Sequence, residues 1–349
     1  MNVLILTNEM KLGGSELVAL QAASGLLKRN CNTRLIATKG LVNLNLEKEY
    51  LLENRVSYCD FPQLRIKNFR KIIEKFKSLT KEVDKFSPDI IHSHGEVPDI
   101  LSIFLKIKFK KRKCIKFLRT VHNERFLSLK YGFLVERVIN IFFDRVVAIS
   151  EKTKNLNGTN RCTLIYNPIR QIANPVRPRL KQDLNNFGII GRLTNQKGQL
   201  KFLQEIAGVC GPSWQKKILL FGFEKSEFPM VAIPEYFRKN IEIRGFVTDM
   251  EKLYDEIDAL IIPSEYEGLS TVMVEALLRD KIVFSKNVSG VSDLKEITEN
   301  LVVFSTVKDF IHIAEKSKYR NTVFDRVQIN DMFDPNRHLD NLLRLYQGI

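Results

Sequence analysis

Short apolar runs recur along the chain and alternate with longer stretches of helical pattern. Runs of this length are typical of strands buried on both faces of a sheet. Because a helical stretch separates each run from the next, we expect parallel strands with covering helices, in an α/β fold of two Rossmann-like, doubly wound domains. The predicted strands are Val3–Leu6, Arg34–Ala37, Ile90–Ser93, Cys114–Leu118 and Arg145–Ile149, followed by a second series that starts at Phe187 and continues at Lys217–Phe221, Ile241–Arg244, Ala259–Ile262 and Ile282–Ser285.

The segment between the two series is rich in proline, with three prolines in residues 167–178. Proline lacks a backbone donor and fits poorly in a helix or a central strand, so we interpret this segment as a linker. A length of 349 residues suits two domains. The predicted boundaries are a first domain at 1–166, a linker at 167–186, a second domain at 187–330 and a C-terminal segment at 331–349 with a helix from Pro335 to Tyr346.

Two carboxylates, Glu267 and Glu275, flank a glycine turn that follows the apolar run at Ala259–Ile262. The carboxyl end of a strand beside a helix N-terminus is where α/β sheets bind phosphorylated ligands. Glutamates eight positions apart are common on solvated helices, so the surrounding order, Pro-Ser-x-x-Glu-Gly-Leu and then Glu-Ala-Leu, carries the prediction. Ser270 is predicted to cap the following helix. The residues expected at this edge are Glu267, Gly268, Leu269 and Ser270, with Glu275 placed to accept paired hydroxyls such as those of a ribose.

Two other strand ends carry glycine turns. Gly13 and Gly14 follow the first strand, and glycine lets a backbone approach an anion closely, although a simple tight turn is the alternative. The turn after the strand at Phe187 carries Arg192 and Lys197. A guanidinium fork and an ammonium point charge at one strand end suit a diphosphate.

Together these segments resemble the donor-site sequences of retaining glycosyltransferases of family 4, of the bacterial surface-glycan type. The resemblance spans roughly residues 1–300 and is strongest from Phe187 to Leu277. It implies the GT-B fold, in which two Rossmann-like domains face each other across a cleft. It also implies that the C-terminal helix crosses back to the first domain.

The resemblance further implies roles for individual residues. Arg192 and Lys197 would stabilise the pyrophosphate of the leaving nucleotide, and Glu267 would hold the donor sugar. The implied reaction transfers a sugar from a nucleotide-diphosphate sugar, expected to be a UDP-sugar, to a glycan acceptor with retention of configuration, and it requires no metal or other cofactor. The predicted donor-binding residues are Gly13, Gly14, Arg192, Lys197, Gly245, Phe246, Glu267, Gly268, Leu269, Ser270 and Glu275.

Three histidines, His92, His94 and His122, lie at predicted strand ends in the first half. No carboxylate or cysteine cluster accompanies them, and the five cysteines have no paired spacing, which favours reduced thiols and argues against a metal site. His122 matches the family position near the donor sugar. The predicted catalytic residues are therefore His122, Glu267, Arg192 and Lys197, with a hydrogen-bonded structural role as the alternative for His122.

The positive charge of the chain is concentrated in its first half. Residues 1–165 contain 30 Lys and Arg against 16 Asp and Glu, a net charge of +14, whereas residues 166–349 contain 25 against 24. Basic residues mixed with phenylalanine at 65–85 and 106–119 are typical of a surface that meets anionic lipid, and solvated helix faces are the alternative.

The sequence has no apolar stretch long enough to span a bilayer and no signal-peptide pattern at its start. We therefore expect a cytoplasmic protein that associates peripherally with the inner face of a membrane. Its acceptor is expected to be membrane-linked: lipopolysaccharide, capsule or a lipid-linked oligosaccharide.

Two other functions remain open from the sequence. A non-catalytic basic protein that binds a surface or nucleic acid agrees with a pI near 9.5. The excess charge lies outside the motif-rich half, however, so a nucleic-acid partner is not expected. A dinucleotide-dependent oxidoreductase would carry a G-x-G-x-x-G turn, which neither glycine turn has.

Overall fold

The computed structural model describes residues 1–8, 14–38, 57–60, 69–110, 115–122, 132–170, 172, 184–247, 249–316 and 326–348. It divides into two compact units. The first unit combines residues 1–168 with 333–349, and the second consists of residues 169–332. Most of the predicted linker, residues 173–183, and the predicted donor-site residue Gly13 lie outside the described residues.

The first unit is built on a seven-stranded sheet in the order β3-β2-β1-β4-β5-β6-β7, and every neighbouring pair is parallel. The order changes direction between β1 and β4, which makes this pair the topological switch point of the sheet. The strands are β1 (Asn2–Thr7), β2 (Asn32–Ala37), β3 (Ser57–Asp60), β4 (Ile90–His94), β5 (Lys116–Val121), β6 (Arg145–Ala148) and β7 (Cys162–Leu164).

Helices cover both faces of this sheet. One layer contains α1 and the C-terminal helix α13, and the opposite layer contains α2, α3 and α4. Each layer buries an apolar set of side chains against alternate strand residues, as expected of parallel strands buried on both faces. The helices are α1 (Gly14–Lys28), α2 (Phe69–Phe86), α3 (Glu96–Phe109), α4 (Gly132–Ile141), α5 (Glu151–Asn157) and α13 (Pro335–Gln347).

Helix α13 is part of the core of the first unit. Its start is fixed by Asp334, whose side chain accepts a hydrogen bond from the Arg337 amide at 2.8 Å. Leu342 and Tyr346 are buried with α1 and the central strands. The chain therefore leaves the first unit, forms the second and returns.

The second unit contains six parallel strands in the order β10-β9-β8-β11-β12-β13, with the switch point between β8 and β11. An aromatic cluster on one face includes Phe187, Phe284 and Phe310 in edge-on or tilted contact. The strands are β8 (Asn186–Ile190), β9 (Lys217–Phe221), β10 (Ile241–Gly245), β11 (Ala259–Ile262), β12 (Ile282–Ser285) and β13 (Leu301–Val303).

The helices of the second unit follow the strands in regular alternation. Short 3₁₀ turns lie at Gly211–Ser213, Lys225–Glu227 and Met230–Ala232. The α-helices are α6 (Gln199–Cys210), α7 (Glu235–Arg238), α8 (Met250–Glu256), α9 (Thr271–Leu277), α10 (Val291–Lys295), α11 (Val307–Lys316) and α12 (Arg326–Met332).

The sequence-based strand predictions are close to the structure at the sheet centres and incomplete at the edges. The run predicted at Cys114–Leu118 forms a strand from Lys116 that extends to Val121, because Leu118–Val121 pair with β6, and Cys114 lies outside the described residues. Three edge strands, β3, β7 and β13, have no counterpart among the predicted strands. Edge strands of three or four residues are too short to give an apolar pattern that can be recognised.

Candidate functional site

The predicted donor-site motifs of the second unit meet at its switch point. The turn after β8 carries Arg192 and Lys197, and the turn after β11 carries Glu267 and Ser270. The two strands are neighbours in the sheet, so both turns emerge at the same carboxyl edge. In open α/β sheets this is where ligands bind.

The two turns are joined through backbone contacts. The Glu265 amide donates to the Gln196 carbonyl at 2.9 Å, and the Gln196 side chain donates to the Tyr266 carbonyl at 3.1 Å. Gly198 has a φ of 68°, and a Cβ at this position would lie 2.6 Å from the Pro263 carbonyl oxygen. Only glycine permits this approach, which brings the start of α6 against the end of β11.

Lys197 and Glu267 form an ion pair between these turns. Lys197 Nζ lies 2.6 Å from Glu267 Oε1, and Ser264 Oγ donates to the same oxygen at 2.7 Å. Glu267 is 7% exposed, whereas Lys197 is partly exposed. A buried carboxylate is thus held by one cation and one hydroxyl at the edge where a ligand would enter.

Arg192 and Gln199 occupy the other side of the same turn. The Arg192 side chain is exposed. The backbone carbonyl of Arg192 accepts a hydrogen bond from Gln199 Nε2 at 2.8 Å, and the same nitrogen donates to the Gly191 carbonyl at 3.2 Å. Gln199 is 1% exposed, and its Oε1 has no partner in the described residues. Gln199 therefore fixes the path of the backbone that presents the Arg192 guanidinium.

Ser270 occupies the N-cap position of α9, but its side chain does not act as a cap. Its hydroxyl makes no bond to the helix and has no partner in the described part of the chain, although the residue is buried. Ser270 is one of the residues that line a small cleft with Lys197, Gln199 and Ser264. A capping role for the Ser270 side chain is therefore wrong, and the unpaired hydroxyl suits a ligand oxygen instead.

Glu275 belongs to a second polar group on α9. Tyr254 Oη donates to its carboxylate at 3.2 Å and to the Val272 carbonyl at 3.2 Å. Arg279 binds the Glu275 carbonyl and pairs with Glu251 at 2.6 Å. Burial raises the pKa of Glu275, and the nearby Arg279 opposes that rise.

The remaining predicted donor-site residues are spread over both units. Gly268 and Leu269 are buried beside Glu267. Gly245 ends β10 with a φ of 77°, and Phe246 after it is 65% exposed. Gly14 is the first residue of α1, in the first unit.

The three histidines predicted at strand ends of the first unit are neighbours. His94 Nδ1 lies 2.9 Å from His122 Nε2. Both ring nitrogens of His92 are bonded, to Tyr346 Oη at 2.7 Å and to Thr120 Oγ1 at 2.8 Å. The Nε2 atom of His94 has no partner among the residues that the structure describes.

These imidazoles are neutral near pH 7. Burial, with His122 and His338 contributing, lowers the pKa of His92 to about 3. Burial and then His338 lower the pKa of His122 to about 3, and burial holds the pKa of His94 well below 6.5. Within the described ranges, no group of three or more His, Cys, Asp or Glu residues is arranged to hold a metal ion.

Two family models match the chain over most of both units. One, described as Glycosyltransferase Family 4, matches residues 12–176, and another, described as Glycosyl transferases group 1, matches residues 185–316. The chain belongs to glycosyltransferase family 4. Its two doubly wound units have the GT-B fold, which agrees with the fold class expected from the sequence.

Relatives of this family 4 chain include bacterial surface-glycan enzymes. The O-antigen biosynthesis glycosyltransferase WclY of Escherichia coli is 24% identical over 79% of this chain and 83% of its own length. A relative from Campylobacter jejuni, named as an α-1,4-N-acetyl-D-galactosaminyltransferase acting on a GalNAc-containing diNAcBac-PP-undecaprenol, is 26% identical over 90% of this chain and 88% of its own. The crystal structure of Anabaena HepE with UDP and glucose superposes with a TM-score of 0.77 at 16% identity, covering all of both chains.

Sequence reasoning found the charged residues of this edge and missed their neutral supports. Gln199, Ser264 and Tyr254 each fix or contact a predicted residue. Ser264 belongs to the Pro-Ser-x-x-Glu motif, so its contact with Glu267 could have been inferred from spacing. The partners of Gln199 and Tyr254 depend on tertiary packing and leave no local sequence pattern.

Proposed function

We propose that this protein is a retaining glycosyltransferase that transfers a sugar from a nucleoside-diphosphate sugar to a glycan acceptor. The observation that carries the proposal is the Lys197–Glu267 ion pair at the switch point of the second unit, beside the exposed Arg192. Cations at this edge suit a diphosphate, and the carboxylate paired with Lys197 suits the hydroxyls of a sugar. The diphosphate and the sugar are both parts of a nucleoside-diphosphate sugar.

The cations would act mainly on the leaving group. As the bond between the anomeric carbon and the diphosphate oxygen breaks, negative charge grows on that oxygen. Arg192, Lys197 and the Ser270 hydroxyl would stabilise this charge more in the transition state than in the bound donor, which is what accelerates the reaction. In this proposal Glu267 orients the sugar and Glu275 holds the ribose.

Retention of configuration follows from transfer on the face from which the diphosphate leaves. The acceptor oxygen forms the new glycosidic bond as the old one breaks, and its proton passes to an oxygen of the departing diphosphate. No protein nucleophile and no metal ion are needed. His122, neutral at the end of β5, is proposed as a hydrogen-bonding catalytic residue rather than a charged acid.

A UDP-sugar donor and a membrane-linked acceptor are the proposed substrates. HepE binds UDP and glucose, and the Campylobacter relative is named for an undecaprenol-linked acceptor. We extend these two chemistries to this chain and place it at the cytoplasmic face of a membrane, where its basic first unit meets anionic lipid. The described helices include none with the length and apolar character to span a bilayer.

A donor screen tests the proposal. Purified protein is incubated with a panel of UDP- and GDP-sugars and a polyprenyl-diphosphate-linked glycan, with and without EDTA, and nucleoside diphosphate release and product linkage are measured. We expect release of UDP that depends on the acceptor, an α-linked product from an α-linked donor, and no loss with EDTA. An inverted product, or metal dependence, would contradict the proposed mechanism. Binding of nucleic acid without any donor turnover would favour the non-catalytic alternative.

A further inference from the structure

Helix α4 of the first unit buries polar side chains and exposes most of its large apolar ones. Glu136 and Asn140 are each 4% exposed, and the apolar Ile139 is partly buried against the core. The outward apolar side chains of α4 have exposures from 47% to 70%. These apolar residues are Leu134, Val135, Val138 and Ile141. A helix that packs only against its own domain normally has the opposite pattern.

Helix α3 shares part of this arrangement, although it also buries Leu105 and Phe109 against the core. Ile100, Phe104 and Ile107 are more than half exposed, whereas Asp99 and Ser102 on the same helix are buried. The exposed residues follow a spacing of four and three, as do Leu134, Val138 and Ile141 on α4, so each helix presents one apolar stripe. The two stripes contain seven large apolar side chains, which we call the apolar surface: Ile100, Phe104, Ile107, Leu134, Val135, Val138 and Ile141.

A single buried arginine explains why the polar residues of both helices point inward. Arg119 on β5 is 5% exposed and binds Asp99 of α3 at 2.8 Å and Glu136 of α4 at 2.6 Å. The same guanidinium contacts Asn140 at 3.0 Å. Arg119 thus ties both helices to β5 through buried polar side chains, while each helix keeps large apolar side chains on its exposed side.

Exposed apolar surface of this extent is uncommon on proteins without a partner and marks an interaction site. Positive charge lies next to it. Lys108 and Lys110 are exposed on or directly after α3, and Arg137 lies on α4 among the apolar residues. Lys106 pairs with Asp144 at 3.0 Å, and residues 1–165 have a net charge of +14. An apolar face bordered by cations is complementary to an anionic lipid bilayer, which offers hydrocarbon beneath a negative headgroup layer.

We propose that the apolar surface of α3 and α4 inserts into the headgroup region of an anionic bilayer and holds the first unit there. Helices of 14 and 10 residues cannot cross a membrane but can lie in its interface, with their apolar faces about 5–10 Å deep. The Lys and Arg side chains would meet lipid phosphates at the same level. This inference deepens the proposed function, since it explains how the enzyme reaches a membrane-linked acceptor, and it differs from a purely electrostatic attachment.

Vesicle sedimentation tests the insertion. The full-length protein is mixed with phosphatidylglycerol-containing vesicles or with neutral phosphatidylcholine vesicles, at low salt and at about 0.5 M salt, where charges are screened within a few Å. We expect binding to the anionic vesicles that falls with salt but leaves a measurable remainder. Replacing Val135, Val138 and Ile141 by Ser should remove that remainder and weaken low-salt binding at least about tenfold.

A matched control uses exposed apolar residues of the second unit. Val209, Val231 and Val327 are 44%, 84% and 79% exposed, and their triple replacement by Ser should leave vesicle binding unchanged. UDP calorimetry and thermal unfolding of each variant separate a folding defect from lost docking. If the α4 variant remains folded, binds UDP and still sediments like the unchanged protein, the insertion is wrong, whatever the outcome of the donor screen.

A fluorescence reporter separates lipid from other occupants. The chain has one tryptophan, Trp214, which is buried in the second unit, so Ile141→Trp introduces a distinguishable probe. We expect its emission to shift to the blue and to be quenched by brominated lipid on addition of anionic vesicles. A blue shift that depends on protein concentration without lipid, together with a dimer in sedimentation velocity, would assign the surface to a second copy and overturn the proposal.

Discussion

The two units place the same architecture around different chemistry. Both are parallel, doubly wound sheets with polar residues at the carboxyl ends of the switch-point strands. In the second unit these residues are charged, with Lys197 paired to Glu267 and Arg192 exposed. In the first unit His92 and His94 are buried and neutral. One sheet edge is thus suited to an anion and the other to hydrogen bonding without charge.

This difference shows that the sheet provides the position and the turn residues provide the function. It also shows where ionisation matters. In the second unit the cations Arg192 and Lys197 are exposed or partly exposed, so they are available to a ligand. Imidazoles of the first unit can be protonated only at a cost to folding, because burial opposes their charge.

The largest effect is expected from the cations of the second unit. Arg192→Ala and Lys197→Ala should each lower kcat by about 100-fold or more, since both act on charge that grows in the transition state. Steady-state release of nucleoside diphosphate measures this. Lys201→Ala is the control. It also removes a cation close to this turn, but Lys201 pairs with the exposed Glu265 and has no proposed role in the reaction, so kcat should not change. Near-normal turnover in either variant would remove its residue from the pyrophosphate role.

The two cation variants should differ in stability. Arg192 is exposed, so its loss should leave the melting temperature unchanged. Loss of Lys197 leaves the Glu267 carboxylate, 7% exposed, with Ser264 as its one side-chain partner among the residues that the structure describes. The free energy of unfolding should therefore fall by about 1–3 kcal/mol. Equal melting temperatures would show that the ion pair contributes little to the fold.

A second, smaller effect should separate the two glutamates. Glu275→Ala should weaken UDP binding about tenfold or more, as expected for the loss of hydrogen bonds to a carboxylate. Glu267→Ala should depress transfer while UDP affinity is largely kept. Calorimetry with UDP measures both variants, with Glu265→Ala as an exposed neighbour that should change neither quantity. Equal losses of UDP affinity in the two variants would show that the assigned roles are wrong.

Acid should destabilise the first unit before the second. In the unfolded chain histidines bind protons below about pH 6.5. In the folded unit burial lowers the pKa of His92 and His122 to about 3 and that of His338 to about 4, so these side chains stay neutral until the pH is much lower. Stability present above pH 6.5 is therefore lost as the pH falls, by about 1.4 kcal/mol per pH unit for each histidine. Asp99, whose pKa burial raises to about 6, offsets one histidine between about pH 6 and pH 4.

Denaturant unfolding at pH 7, 6 and 5 checks this difference. Trp214 fluorescence reports the second unit, and hydrogen exchange of β1 and β4 reports the first. His338→Gln should flatten the pH dependence of the first unit, whereas His312→Gln, an exposed change on α11, should not alter it. Equal acid sensitivity of both units would contradict the assignment of the effect to the buried histidines.

The smallest effect concerns the close backbone packing of the second unit. Gly198→Ala should lower the free energy of unfolding by about 1–3 kcal/mol, because φ is 68° and the new Cβ would meet the Pro263 carbonyl. Gly208 lies within α6, which begins directly after Gly198, and a Cβ there would meet open space, so Gly208→Ala should raise the free energy of unfolding by about 0.5–1 kcal/mol. Chemical denaturation compares the pair. An unchanged free energy of unfolding for Gly198→Ala would show that the turns after β8 and β11 can move apart without destabilising the fold.

The fold class and the position of the charged residues at one sheet edge of the second unit could be predicted from the sequence, because both leave local patterns. Apolar runs mark central strands, and Arg192, Lys197 and Glu267 lie in turns with recognisable spacing. Contacts that depend on distant segments leave no such pattern. Gln199 looks like an ordinary helix residue, and the bond between His92 and Tyr346 joins positions 254 residues apart. The outward apolar side chains of α4 were equally hidden, because their explanation lies in Arg119 on a strand.

The return of α13 to the first unit has a consequence for the order in which the protein can fold. Leu342 and Tyr346 fill the core beside α1, and His338 Nδ1 bonds to the Tyr166 carbonyl at 2.8 Å. These residues are synthesised only after the whole second unit, residues 169–332. During translation the second unit can therefore close on itself while the first still lacks part of its core. The unit that begins the chain is completed last, and a nascent chain stalled before α13 would expose that unfinished core to chaperones.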